Sequence, residues 1–515
     1  MKRKILIVSV TAICLIATGC SKDYLNTAPT SSTGTETLFK TTSKAKLAIN
    51  GLAKLMSIQY LGSRGFNGEG TVKMYYGNYS GAHFTVNLPG WAVIINCDYF
   101  RNLDAVYDYY PWYYYYRIIG NANTVILNID KASGPDSEKK YIRAQALSYR
   151  SYAFMMLAQL YCLRWSDSDN GASPGLILRT DASDGDMKRS TLAETYKKIY
   201  DDLDEAIALF TESGIHRGNT LNYVIDIEAA CAAYARAALN RQDYPKAEEM
   251  AVKARSGYSL MSVTDYRAGF CNPNSEWIWS VWGSANESLY YLSYFADIAY
   301  NSSASAVRAY PKCISKELFE KIPDTDIRKS LFVNPADYTP AYNANTGQYA
   351  DAAVVAAIRA KGTDPTASVY AYMQFKIKCN DQPGVGHLNI FRSSEMYLIE
   401  AEAKYFQNNA IGAQNALTEL NKTSGRDSSY TCTKTGTDLL DEIKTYRGLE
   451  LWGEGFDWFD MKRWGDSMSR KSFAGGGSFI SDLAVSFGPQ DKNKWTWFIP
   501  SKEMNYNRLA EQNNY

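Results

Sequence analysis

The stretch Tyr446-Arg447-Gly448-Leu449-Glu450-Leu451-Trp452-Gly453-Glu454-Gly455-Phe456-Asp457-Trp458-Phe459-Asp460-Met461-Lys462-Arg463-Trp464 interleaves charged side chains with large rings. Arg447, Glu450, Glu454, Asp460 and Arg463 stand among Trp452, Phe456, Trp458, Phe459 and Trp464. An unpaired buried charge is expensive, so charges embedded among that many rings are expected to be paired and partly buried. The block therefore reads as a clamp that pins the C-terminal segment to a helical body. On that reading Arg447→Ala lowers stability or yield.

Upstream, most of the chain has helical periodicity, arranged in pairs. Residues 43–58 place Ala45, Ala48, Ile49, Leu52 and Leu55 on one face, and 113–129 do the same with Ile118, Ala122, Val125 and Ile129. The span 137–163 is a long helix candidate, and Ser190 (or Thr191) starts the next, with Glu194 placed for a capping box and the helix running to about Phe210. Ala-rich pairs follow, at 229–239 with 245–254 and at 393–406 with 410–420. They have the small-residue contacts of tetratricopeptide-like repeats without a strict period. The fold class expected is mainly α: degenerate tetratricopeptide-like helix pairs forming one body, with long irregular loops and a few short strands. Glu276-Trp277-Ile278-Trp279-Ser280 alternates as a core strand. Residues 334–366 read as a polar surface insertion.

The N-terminus carries an address. Lys2, Arg3 and Lys4 precede the apolar run 5–17, and Ala17-Thr18-Gly19 puts small residues before Cys20. This is the pattern of a secretory signal, in the form that ends in a lipidated cysteine, although Ala17 stands where Leu is usual. The expected organisation is a signal peptide at 1–19, a lipidated flexible tether at 20–37, and a single body at 38–515. Within that body, 38–260 is the helical-repeat part and 261–515 the loop-rich part. Ser21-Lys22-Asp23 after Cys20 is similar to a surface-export signal of outer-membrane lipoproteins. No later apolar run reaches the length of a membrane span.

Composition excludes several classes of function. Fifty-five basic against 54 acidic side chains argue against nucleic-acid binding. Nine cysteines include Cys14 and Cys20; the rest have no CxxC spacing, so buried thiols without a disulfide framework are expected. Three histidines, His83, His216 and His387, lie far apart, outside metal-ligand spacing. Asp167, Asp169, Asn170 and the 181–186 loop lack calcium-loop spacing. Gly171-Ala172-Ser173-Pro174-Gly175 matches the nucleophile-elbow pattern, but Pro174 lacks the backbone N–H its oxyanion hole needs. No catalytic residue, metal or cofactor is assigned. A glycosidase built on Glu69 and Asp98 and a protein-binding scaffold are the alternatives.

Tyrosine outnumbers phenylalanine 40 to 19, an excess that fits surfaces greasy on one side and wet on the other. Two ring-rich loops with short polar residues fit a ligand face. The first supplies Tyr75, Tyr76, Asn78, Tyr79 and Trp91, with Asn87 beside them. The second supplies Trp282, Asn286, Tyr290 and Tyr291. The run Tyr109-Tyr110-Pro111-Trp112-Tyr113-Tyr114-Tyr115-Tyr116 opens a helix and is expected mostly to pack, with Tyr109 or Tyr110 at its exposed edge.

The quoted block, together with Phe391-Arg392-Ser393-Ser394-Glu395-Met396-Tyr397-Leu398-Ile399-Glu400-Ala401-Glu402-Ala403, Phe498-Ile499-Pro500 with Glu503, and Gln512-Asn513-Asn514-Tyr515, resembles the SusD/RagB family of outer-membrane lipoproteins. Trp112 with Asn121-Ala122-Asn123, the 143–161 helix and Pro174-Gly175-Leu176-Ile177-Leu178 agree with it. Asn513-Asn514 departs from the Asn-Pro-Gly common at that point. The resemblance implies a non-catalytic lipoprotein at the cell surface of a Bacteroidetes-type bacterium. It would be anchored in the outer membrane through Cys20, binding a glycan or a peptide and lidding a SusC-like TonB-dependent transporter.

Overall fold

The computed structural model describes residues 34–60, 65–181, 183, 185–218, 221–285 and 292–515. The signal segment, Cys20, most of the tether, and Asn286, Tyr290 and Tyr291 lie outside the described residues. One helical turn, Thr35–Leu38, falls inside the stretch expected as tether and leads to buried Phe39.

The longer helices are α1 (Thr42–Leu55), α2 (Val106–Asn128), α3 (Asp136–Tyr161), α4 (Leu192–Ser213), α5 (Ile227–Asn240), α6 (Tyr244–Ala254), α7 (Ala352–Arg359), α8 (Ser393–Phe406), α9 (Ala410–Thr418), α10 (Gly436–Glu450) and α11 (Asp457–Trp464). They pack largely in sequential pairs: α2 on α3, α3 on α4, α5 on α6, and α8 on α9, with α6 also against α8. Some starts have a local cause. Of the two expected starts, Ser190 and Thr191, it is Thr191 that forms the reciprocal capping box with Glu194 at α4. Asp243 caps α6, where Pro245 occupies the first turn. Seven alanines of α5 are buried, which lets neighbouring backbones approach closely.

Between these pairs lie bidentate ion pairs. Arg150 on α3 grips Asp202 on α4 at 2.7 Å through both Nε and Nη2. Arg236 on α5 holds Glu395 on α8 in the same way, also at 2.7 Å. Such forks fix orientation as well as supplying charge-assisted bonds.

Strands β1 (Trp277–Val281) and β2 (Leu388–Arg392) pair antiparallel and are buried throughout. Trp277 and Trp279 are core residues, as the alternation implied. The remaining strands are two-residue ladders, one joining Phe84-Thr85 to Cys313-Ile314.

The charged-ring block lies in the interior, more completely than expected. Arg392 contacts Glu276 at 2.6 Å, Glu450 at 2.7 Å and Glu454 at 2.8 Å. Arg426 and Arg328 reach Glu450 at 3.1 and 3.0 Å, and Lys376 reaches Glu454 at 2.7 Å. Burial pushes the Glu450 carboxyl up, but Arg426, Arg392 and Arg328 outweigh it and hold the group well below its ordinary range. Glu454 is likewise drawn down to about 2, burial opposing and Arg392 and Lys376 prevailing. Asp460 bridges Arg447 at 2.7 Å and Arg463 at 2.8 Å. The network ties β1, β2, α10 and α11 into one core.

Two loop expectations need correction. The 334–366 insertion contains helix α7, capped by Asp351. Helix α2 begins at Val106, seven residues before Tyr113, so both Tyr109 and Tyr110 fall inside it and are buried, while Tyr113 is 39% exposed. Seven described cysteines are free thiols, six of them buried. No helix among the described residues is long and apolar enough to cross a membrane.

Candidate carbohydrate-type binding face

Residues Val72–Asn78 form a π-helical turn, a wide coil that recurs at functional sites. Its geometry turns the first ring-rich loop inward. Tyr75, Tyr76, Asn78 and Tyr79 are all buried, so the expectation that they face a ligand is corrected: they pack in the interior. Tyr76 packs edge-on to Trp497 at 4.7 Å and donates its hydroxyl to the Tyr107 carbonyl at 2.8 Å. Asn78 donates to the Gly453 carbonyl and accepts from the Gly455 N–H, each at 2.8 Å, joining the turn to the C-terminal block. Gly77 permits that approach: a Cβ there would lie 2.2 Å from the Gly455 carbonyl oxygen.

Tyr75 and Tyr79 stack nearly parallel, 5.9 Å apart and 7° from coplanar. Trp91, on the turn Pro89–Trp91, rests on both at 4.8 and 6.2 Å and stays half-buried, next to exposed Pro89 and Gly90. Trp91 is thus held rigidly with part of its ring facing solvent. That arrangement suits the C–H face of a sugar.

Sequence reasoning missed the polar neighbours. Asp297, half-buried on the short helix Tyr294–Ile298, lies within electrostatic reach of both Tyr75 and Tyr79. Burial raises its carboxyl, and Lys312 partly offsets this. Lys312 sits 5.9 Å from the Tyr79 ring and donates to the carbonyls of Ala306 and Tyr310 at 2.8 and 2.7 Å. The Tyr310 ring is 37% exposed. A carboxylate among three rings was the available signal, at Tyr294-Phe295-Ala296-Asp297 before Tyr300.

From the second loop, Trp282 is described and is 48% exposed. It meets His387 edge-on at 4.7 Å and Tyr223 at 5.1 Å. Burial lowers the His387 pKa, which keeps the ring neutral at pH 7. The crevice beside Trp282 holds about 40 Å³, room for water and not for a sugar ring.

The glycosidase candidates are not arranged for catalysis. Glu69 is fully buried and accepts the hydroxyls of Tyr115 and Tyr152 at 2.9 and 3.0 Å. Asp98 is engaged by Lys494 and by Arg101. Among the described residues no three metal-ligating side chains cluster.

Two family profiles match the chain. One, of SusD-like proteins described as starch-binding and associating with the outer membrane, covers residues 23–239; the other, of the SusD family, covers 276–515. Solved structures share the fold. A SusD-like carbohydrate binding protein from Bacteroides vulgatus superposes with a TM-score of 0.73 at 22% identity, over 92% of this chain and 98% of its own. A SusD superfamily protein from Bacteroides thetaiotaomicron gives 0.72 at 23%, over 92% and 100%. A SusD-like protein from Bacteroides fragilis gives 0.65 at 14%, over 95% and 99%. No curated protein matches the chain significantly.

Proposed function

The chain belongs to the SusD family, and from that premise we propose that it captures a carbohydrate at the cell surface and delivers it to a partner TonB-dependent transporter in the outer membrane, without cleaving it. The observation that carries the reading is Trp91, half-exposed on a rigid floor of stacked Tyr75 and Tyr79 with the Asp297 carboxylate nearby. A sugar ring needs a flat apolar face for its C–H side and fixed polar groups for its hydroxyls. Trp91 supplies the first, and the Asp297 carboxyl group supplies the second. Trp282 offers a further exposed ring.

Lipid attachment at Cys20 would hold this face at the membrane surface, and the transporter would receive what the face collects. Capture without chemistry fits the interior positions of Glu69 and the paired state of Asp98. The test is a glycan and peptide array probed with the chain from Ser21 onward and with its Trp91→Ala variant. Glycan binding that the variant loses, with no release of reducing ends, supports the reading. Binding to peptides alone, or hydrolysis of the bound glycan, overturns it.

A further inference from the structure

Two surface cavities of about 490 and 610 Å³ open side by side along α10 and share Lys321, Asp441 and Thr445 in their walls. Each has the size of a ligand site. Together they make one groove, with Phe456 and Trp464 lining one end and Tyr430 and Tyr446 the other. Three ring-to-ring contacts separate it from the Trp91 face: Trp91 to Tyr79 at 6.2 Å, Tyr79 to Phe84 at 5.8 Å, and Phe84 to Trp452 at 5.1 Å.

The groove carries charges of both signs, and some are paired: Lys444 with Asp466 at 2.7 Å and Lys434 with Glu442 at 2.6 Å. A ligand of one charge is attracted by some of these groups and repelled by others, whereas hydroxyls can share bonds with both. Arg447 is buried in the wall of the first cavity, with its Nε on Asp460. Gly448 lies in the wall of the first cavity and adds no side chain to it.

We propose that this groove is a second carbohydrate-binding site, separate from the Trp91 face. It takes a neutral oligosaccharide segment, with a sugar ring against Trp464 and Phe456 and hydroxyls on Lys321, Asp441 and Thr445, which stand in both walls. For its ligand class it rests on the carbohydrate reading above.

Position 448 supplies the test. A Cβ there meets only ordinary contacts, 3.5 Å from Leu318 and 3.6 Å from His83. Gly448→Ala therefore keeps the groove open and favours the helix, while Gly448→Phe fills it. Crystals of both variants of the chain from Ser21 onward would be soaked in a mixture of maltohexaose, cellohexaose, xylohexaose and mannohexaose. The expected result is sugar density in the groove of the alanine variant, none there in the phenylalanine variant, and density on the Trp91 face of both. Density on the Trp91 face alone in the alanine variant overturns the groove and leaves the proposed function standing. Density at neither place in that variant overturns both, and density in the groove alone overturns the Trp91 face while keeping the groove.

Discussion

The Tyr76 hydroxyl donates to the Tyr107 carbonyl at 2.8 Å, and it does so where Pro111, four residues further along α2, has no N–H to offer that carbonyl. A side chain from the π-helical turn thus completes the hydrogen bonding of a neighbouring helix. It also anchors the turn that carries Tyr75 and Tyr79 beneath Trp91. Tyr76→Phe is expected to cost about 1–3 kcal/mol, because it leaves a buried carbonyl unpaired. In a Pro111→Ala background, where residue 111 regains its N–H, the same change should cost measurably less. A double-mutant cycle in urea checks this, and equal costs in both backgrounds contradict it.

Gly77 tests the junction between the turn and the C-terminal block. An alanine Cβ would lie 2.2 Å from the Gly455 carbonyl oxygen, which belongs to backbone and cannot swing away. Gly77→Ala should therefore destabilise by about 3 kcal/mol. A melting temperature within a degree of wild type would show that the two segments are not pressed together.

Arg392 stands between Glu276, Glu450 and Glu454. Arg392→Met leaves the three carboxylates short of a cation and should cost about 3–5 kcal/mol. The pH sign follows from their depressed pKa values. Carboxyls held below their unfolded pKa stabilise the fold fully above that value, and the contribution is lost as pH falls from about 4.5 through Glu454's pKa of about 2. The variant should begin acid unfolding at a higher pH than wild type. Overlapping acid-denaturation curves would contradict the network's role.

Asp108 behaves in the opposite sense. It is buried in the first turn of α2, neither carboxyl oxygen has a hydrogen-bond partner, and burial raises its pKa to about 9. Between about pH 4 and 9 the folded chain holds a proton that the unfolded chain has released, so stability falls as pH rises, by roughly 1.4 kcal/mol per unit for one fully shifted group. Asp108→Asn should gain stability relative to wild type as pH rises from 5 to 8. Parallel stability profiles of the two chains would refute it.

Much of the fold was legible in the sequence because its causes are local. Periodic apolar faces marked α1, α3 and α8, Glu194 after Ser190 and Thr191 marked the start of α4 to within a residue, and the 446–464 block announced its own ion pairing. The candidate face was only half legible. Regular helical or strand spacing cannot show that Val72–Asn78 is a π-helical turn, and that turn is what sends Tyr75, Tyr76 and Tyr79 inward. Gly77, the one residue there without a side chain, was the local sign of a close approach. Asp297 and Lys312 were hidden for another reason: they meet Tyr79 only through contacts more than 200 residues apart in sequence, which no local pattern reports.

The central claim is that Trp91, on its tyrosine floor, is the surface that holds sugar. Its most direct test is the affinity of one array-positive glycan for wild type, Trp91→Phe and Trp91→Ala, measured by titration calorimetry at matched melting temperatures. Loss of about 1.4 kcal/mol or more in the alanine variant, a tenfold weakening, with partial recovery in the phenylalanine variant, is the predicted result. Equal affinity in all three chains would contradict it.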